Sequence, residues 1–148
     1  MALAGAVGLA LAAGVLAGIR IGDEEAPVLA GTLEVSGTMT APGGEAAGTI
    51  DVRALGIGRQ IAFRSDALPI LPKGQYYEVW FVGPGDTRAA PNRISAGTFH
   101  PDEQGRSAVE FTAAVDPALY PVIEITAEPG DGDPAPTGEV VARLVSSE

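Results

Sequence analysis

The sequence predicts an all-β domain, an antiparallel β-sandwich of about eight short strands, preceded by one transmembrane helix. Three observations support this prediction. Apolar and polar residues alternate with period two over most of the chain after residue 31. Turn-forming residues are abundant, with 20 glycines and 12 prolines among 148 residues. No run with the 3.6-residue helical period follows Gly22.

The chain opens with 18 residues, 2–19, that carry no polar side chain. A helix of that length spans about 27 Å, close to the ~30 Å hydrocarbon core of a bilayer. The run is apolar all round, which disfavours a buried helix of a soluble domain. A cleaved signal peptide remains an alternative, although such peptides carry a basic region before the apolar run. We predict a transmembrane helix over 1–22, with membrane-spanning residues Ala2, Leu9, Gly14, Gly18 and Ile19.

An acidic linker with one proline, 23–31, separates this segment from a β domain predicted over 32–148. The first three strands are predicted at 32–39, 49–53 and 60–64, where apolar residues occupy alternate positions. A Pro-Gly-Gly sequence within 41–47 indicates the first turn. Gly56 and Gly58 flank the second.

The fourth predicted strand, 75–82, differs from the others. Tyr76, Trp80 and Val82 occupy one face, while Tyr77, Val79 and Phe81 occupy the other. Both faces are apolar except for Glu78, which is typical of a central strand covered on both sides. The Gly-Pro-Gly-Asp sequence at 83–86 ends it.

Four further strands are predicted at 94–99, 109–113, 123–128 and 140–145. Turn residues at 101–105 and a Pro- and Gly-rich stretch at 129–138 separate them. Short strands at this spacing favour two packed antiparallel sheets, immunoglobulin-like in general architecture.

Composition argues against catalysis, cofactors and nucleic acid. The chain has no cysteine, which excludes disulfides and thiolate metal sites. His100 is the only histidine, so one chain cannot assemble a copper or zinc centre from histidines. Asp131 and Asp133 lack the glutamate of a calcium-binding EF-hand loop. The net charge of −10 repels nucleic acid phosphates. We therefore predict no enzyme, no cofactor and no nucleic-acid partner.

Three ordered motifs lie within residues 68–138, a span of about half of the chain. They are the stretch 68–81 (LPILPKGQYYEVWF), the stretch 95–106 (SAGTFHPDEQGR), and the stretch 123–138, which includes Glu128-Pro129-Gly130 and Pro136-Thr137-Gly138. Together they resemble the C-terminal domain of RskA-type anti-sigma factors (anti-sigma-K factors). The motif residues are Tyr77, Trp80, Gly97, Thr98, Phe99, Gly105, Glu128, Pro129, Pro136, Thr137 and Gly138. Their types suggest structural roles, because prolines and glycines fix turns and aromatic residues fill cores.

The resemblance implies a single-pass protein of the cell membrane whose β domain lies outside the cytoplasm. A cytoplasmic module, absent from these 148 residues, would bind the sigma factor, and membrane proteases would cut the helix to release it. The implied function is the extracytoplasmic regulatory part of a membrane-anchored anti-sigma factor. The alternative is a secreted or anchored envelope-binding module. Its site would be the sheet face at 76–81 or the loops 83–93 and 129–138.

Overall fold

The computed structural model describes residues 31–133 and 135–146. Within these residues the chain forms eight antiparallel strands and no helices, so the all-β prediction and the strand count are confirmed. No helix in this part of the chain is long and apolar enough to cross a membrane. The predicted membrane residues Ala2, Leu9, Gly14, Gly18 and Ile19 lie outside the described residues. The strands are β1 (Thr32–Thr40), β2 (Ala46–Leu55), β3 (Gly58–Ser65), β4 (Tyr76–Val82), β5 (Arg93–Phe99), β6 (Ser107–Ala113), β7 (Val122–Glu128) and β8 (Glu139–Val145).

The strands form one continuous sheet, where the sequence predicted two separate sheets. Its order is β5-β4-β7-β8-β1-β2-β3-β6. Each half contains four strands, and in the described part of the chain a single ladder pair, Thr40 with Arg143, joins the halves between β1 and β8. β1 pairs far more extensively with β2, from Thr32 opposite Ala54 to Thr40 opposite Ala46. The sheet therefore bends between β1 and β8, where strand pairing is weakest, and its two halves face each other across the core.

Alternation along the strands fills the space between the halves. Ile61 and Phe63 of β3 point inward, as do Val79 and Phe81 of β4, and all four are fully buried. β4 lies between β5 and β7, which confirms its prediction as a central strand. Shifts of register within β1, β4 and β7 bend the sheet further, because a bulge increases local twist.

Four aromatic rings close the fold where the two outermost strands approach each other. The ring of Phe99 lies 5.4 Å from those of Phe63 and Tyr77, and 6.4 Å from that of Phe111. β5 and β6 share no ladder of hydrogen bonds in the described part of the chain. Ring packing therefore brings the two ends of the sheet together and makes the fold nearly a barrel.

Gly97 makes this approach possible. Its φ is +146°, and an added Cβ would lie 2.7 Å from Cε1 of Phe111 and closer still to Cδ1. We expect Gly97→Ala to lower the free energy of unfolding by roughly 2–4 kcal/mol, since it combines an unfavourable φ with a clash in the core. Chemical denaturation of the wild type and the variant measures the change.

Gly85→Ala is the matched control. Gly85 has a φ of +72° and no atom within 4 Å of an added Cβ, so alanine there costs only the free energy of the unfavourable backbone conformation and causes no clash. We expect that variant to lose about 1–2 kcal/mol. Equal losses at the two positions would show that Phe111 does not press on Gly97.

Candidate functional site

The outer face of β4 and β7 carries a buried polar chain covered by two loops. Trp80 points outward, yet only 5% of its surface is exposed. Its Nε1 donates to Oγ1 of Thr126 at 3.0 Å, and that hydroxyl donates to Oε1 of Glu128. Indole, hydroxyl and carboxylate therefore form one hydrogen-bonded line that is shielded from water.

Glu128 fixes the end of the loop 129–138. Its second oxygen, Oε2, accepts from the backbone N–H groups of Thr137 (3.1 Å) and Gly138 (2.8 Å) and from the Thr137 hydroxyl (3.3 Å). Gly138 packs tightly on β7, since an added Cβ would lie 2.5 Å from the carbonyl carbon of Ala127. Glu128 is only 3% exposed, so these donors take the place of water around its carboxyl group.

Arg93 fixes the loop 83–92 over the same face. Its guanidinium pairs with Asp86, with Nε 3.2 Å and 3.1 Å from the two carboxylate oxygens. Its Nη1 lies 3.6 Å from Oε2 of Glu124, and its Cζ lies 5.8 Å from the centre of a Trp80 ring. Asp86 also accepts the backbone N–H of Asn92 at 2.6 Å. One arginine thus connects the loop, the sheet and the indole.

The two loops meet above this face. A small pocket of about 90 Å³ between them is lined by Arg93, Pro136 and their neighbours. The aromatic platform at 76–81 is consequently not open to a large ligand. Tyr77 and Phe81 lie in the core, and the Tyr77 hydroxyl donates to the Pro69 carbonyl at 2.8 Å. That bond ties the 68–75 segment to β4.

The remaining motif residues lie beside the four aromatic rings, in the turn before β6 and at the start of the loop 129–138. Phe99 is one of the four packed aromatic rings, and Gly97 lies against the ring of Phe111. Thr98, between them in sequence, faces solvent opposite Glu78. Gly105, with a φ of +78°, completes a turn in which its N–H donates to the Asp102 carbonyl at 2.9 Å. Pro129 follows Glu128 and begins the loop 129–138, whose other end Glu128 holds. The motif residues that the structure brings together at one place are therefore Trp80, Glu128, Thr137 and Gly138.

Sequence reasoning missed Asp86, Arg93, Glu124 and Thr126. Thr126 and Glu124 alternate with Ile123 and Ile125, a pattern typical of a solvent-facing side, but both are buried beneath the loops. Arg93 and Asp86 lie at opposite ends of a loop, seven positions apart, and no motif connects them. An alternating pattern distinguishes two faces of a strand but cannot show that a distant loop covers one of them.

A larger cleft lies on the other half of the sheet. It encloses about 610 Å³ on the outer face, where Thr38, Thr49, Arg64 and Ala108 form one row across β1, β2, β3 and β6. Arg64 is exposed and makes no ion pair with any described residue. The buried Ser107 hydroxyl beside this cleft has no hydrogen-bond partner in the same part of the chain.

No metal centre is present among the described side chains: they contain no group of three potential ligands. His100 lies at the end of β5, where its ring nitrogens are 2.9 Å from the Pro101 carbonyl oxygen and 3.0 Å from that of Leu71. The carboxylates described above accept hydrogen bonds that hold loops. The arrangement is that of a structural network that holds two loops against the sheet.

The sequence of the chain matches one protein-family model. The model of the family described as "Anti-sigma-K factor rskA, C-terminal" matches residues 1–140. The chain belongs to this family, as its three motifs suggested. Neither the curated proteins nor the solved structures contain a match to the chain.

We expect Glu128→Ala to lower the free energy of unfolding by about 2–4 kcal/mol, because it leaves the buried donor of Thr126 and the partly buried donors of Thr137 and Gly138 without an acceptor. The freed loop should also expose Trp80, the only tryptophan, and shift its emission to longer wavelength. Denaturation and fluorescence spectra measure the two effects. Glu139→Ala, at an exposed position, is the control. An unshifted spectrum in Glu128→Ala would mean that Glu128 does not hold the loop.

The pair of Asp86 and Arg93 should make stability depend on pH. Hydrogen bonding from Arg93 holds the pKa of Asp86 below its ordinary value of 3.8. A carboxylate whose pKa is lowered on folding stabilises the fold above its unfolded pKa, and this contribution disappears as pH falls through the folded pKa.

We therefore expect Asp86→Asn to lower the free energy of unfolding by about 2 kcal/mol at pH 7, with the difference shrinking below about pH 4. Denaturation at pH 7, 5 and 3.5 measures the trend. Asp133→Asn is the control, since Oδ1 of Asp133 accepts a local bond from Ala135 N that asparagine can also accept. A difference that stays constant across this range would contradict the assignment.

Proposed function

We propose that the chain is the extracytoplasmic regulatory part of a membrane-anchored anti-sigma factor. In this proposal the segment 2–19 crosses the membrane and the β domain controls when proteases release the sigma factor. The observation that supports the proposal is the family match over residues 1–140, which includes the apolar segment and most of the β domain. The sigma-binding act belongs to a cytoplasmic module that these 148 residues do not contain.

The contacts within the β domain support a regulatory role over a catalytic one. The shared motif residues fill the core, fix turns and hold loops, as Tyr77, Gly105 and Glu128 illustrate. A domain built this way can act through its folded state. While it is folded it restricts protease access to the linker 23–31, and loss of the fold exposes that linker.

Cleavage within the membrane should depend on the glycines of the apolar segment. Glycine favours the helix poorly, by about 1 kcal/mol relative to alanine, and an intramembrane protease needs an unwound substrate. We expect a chain carrying both Gly14→Leu and Gly18→Leu to be processed several-fold more slowly in a pulse-chase of membrane fractions. Ala13→Leu with Ala17→Leu adds the same two leucines and keeps both glycines, and should be processed at the wild-type rate.

Two results would contradict the proposal. Equal processing of the two leucine variants would exclude glycine-dependent cleavage. Intact-mass and N-terminal analysis of the native protein provides the second test. Recovery of a soluble chain that begins near Ile21, with no larger membrane-bound form, would show that 2–19 is a removed signal peptide.

A second candidate, an envelope-binding module, is favoured by the cleft around Arg64. Two threonine hydroxyls and an exposed guanidinium along one sheet row are suited to an acidic polysaccharide. Binding of such a polymer that is lost in Arg64→Gln, with sigma-dependent transcription unaffected by deletion of the protein, would favour this candidate over the first.

A further inference from the structure

Large apolar side chains are exposed mainly at one end of the β domain. Among the described residues, Leu33 (46% exposed), Ile57 (80%), Leu119 (63%) and Val145 (61%) lie there. Ile70, 52% exposed, lies at the opposite end. Apolar side chains scattered singly over a surface need no explanation, but an accumulation at one end does.

Contacts between segments establish which end this is. Gly31, where the described chain begins, lies against the side chain of Leu55 at the β2–β3 turn. Gly58 of the same turn lies against the backbone of Ala113 and Ala114, where β6 runs into the 114–121 loop. Ser146, just after β8, donates its N–H to the Pro121 carbonyl at 2.8 Å. The β2–β3 turn, the 114–121 loop and both ends of the described chain therefore lie together.

The residue at the tip of the β2–β3 turn is unusual for its position. Leu55 pairs with Gly58, so Gly56 and Ile57 form a two-residue turn, a place where glycine, asparagine and aspartate are the common choices. Ile57 is the most exposed of the large apolar residues described here. Leu119 occupies a similar position in its loop, beside the half-buried Tyr120. Apolar tips next to an amphipathic tyrosine ring suit a membrane interface.

The neighbouring segment of the chain identifies the partner as lipid. Residues 20–30 separate the apolar run 2–19 from Gly31, and eleven residues span at most about 40 Å even when fully extended. Because the linker joins the domain at Gly31, the end containing Gly31 reaches the bilayer with the linker only partly extended, whereas the opposite end would require the linker to run the length of the domain. Here the inference rests on the proposed function, because it requires 2–19 to be anchored in the membrane.

We propose that the Ile57 turn and the Leu119 loop insert into the lipid interface, so that the β domain sits on the outer surface of the membrane in a fixed orientation. The contact is apolar in character. Of the two arginines near these loops, Arg59 is paired with Glu34 and lies 3.9 Å from Asp116, and the half-buried Arg53 donates to the Gly31 carbonyl at 3.4 Å. Insertion is therefore expected to be insensitive to salt.

The absence of cysteine allows a direct measurement on the full chain. Ile57→Cys, Leu119→Cys and Ile70→Cys each place one thiol in an otherwise cysteine-free protein, and each takes the same environment-sensitive fluorophore. The labelled chains are reconstituted into phosphatidylcholine vesicles with and without lipids that carry a quencher at the upper acyl chain. Flotation of the vesicles first establishes whether the chain is membrane-bound.

In floating samples we expect lipid-borne quenching at positions 57 and 119 to be several-fold stronger than at position 70, and unchanged in 0.5 M salt, a concentration chosen to shorten the screening length to about 4 Å. Adding Ile57→Asp to the label at 119 should reduce quenching there. Floating chains with equal quenching at all three positions would overturn the inference and leave anchoring intact. Chains that do not float would overturn both the anchoring and the inference.

Discussion

The packing of Phe99 against Phe63, Tyr77 and Phe111 is the contact on which the rest of the fold depends. Phe99 and Tyr77 belong to one half of the sheet, and Phe63 and Phe111 to the other. Among the described residues, strand pairing joins the halves at one residue pair, Thr40 with Arg143. Hydrophobic packing across the core therefore determines how far the sheet curls, and Gly97 sets how closely its two ends approach.

Much of the local structure was predictable from sequence, because period-two alternation reflects burial on one face of a strand. All eight predicted strands are present, and the two apolar faces of 75–82 correctly indicated a central strand. The joining of two halves into one sheet was not predictable, since it rests on the pair of Thr40 and Arg143, which are 103 positions apart. A single distant pair leaves no periodic pattern in the sequence.

The candidate site shows the same limit. Trp80, Glu128, Thr137 and Gly138 were found through motifs, and their chemical types indicated structure over catalysis. The roles of Thr126 and Glu124 required knowledge of the loops that cover them. Arg93 and Asp86 required the folded geometry, because only there do the guanidinium, the carboxylate and the indole come together.

The unequal pairing of β1 also determines how the domain responds to tension. β1 pairs along its length with β2 and at one position with β8. Inter-strand hydrogen bonds in an antiparallel pair run perpendicular to the strands. A pull on Gly31 along the axis of β1 is therefore resisted in shear by all the bonds to β2 at once. A pull directed sideways opens the same bonds one after another, so the direction of the force decides how easily β1 is detached.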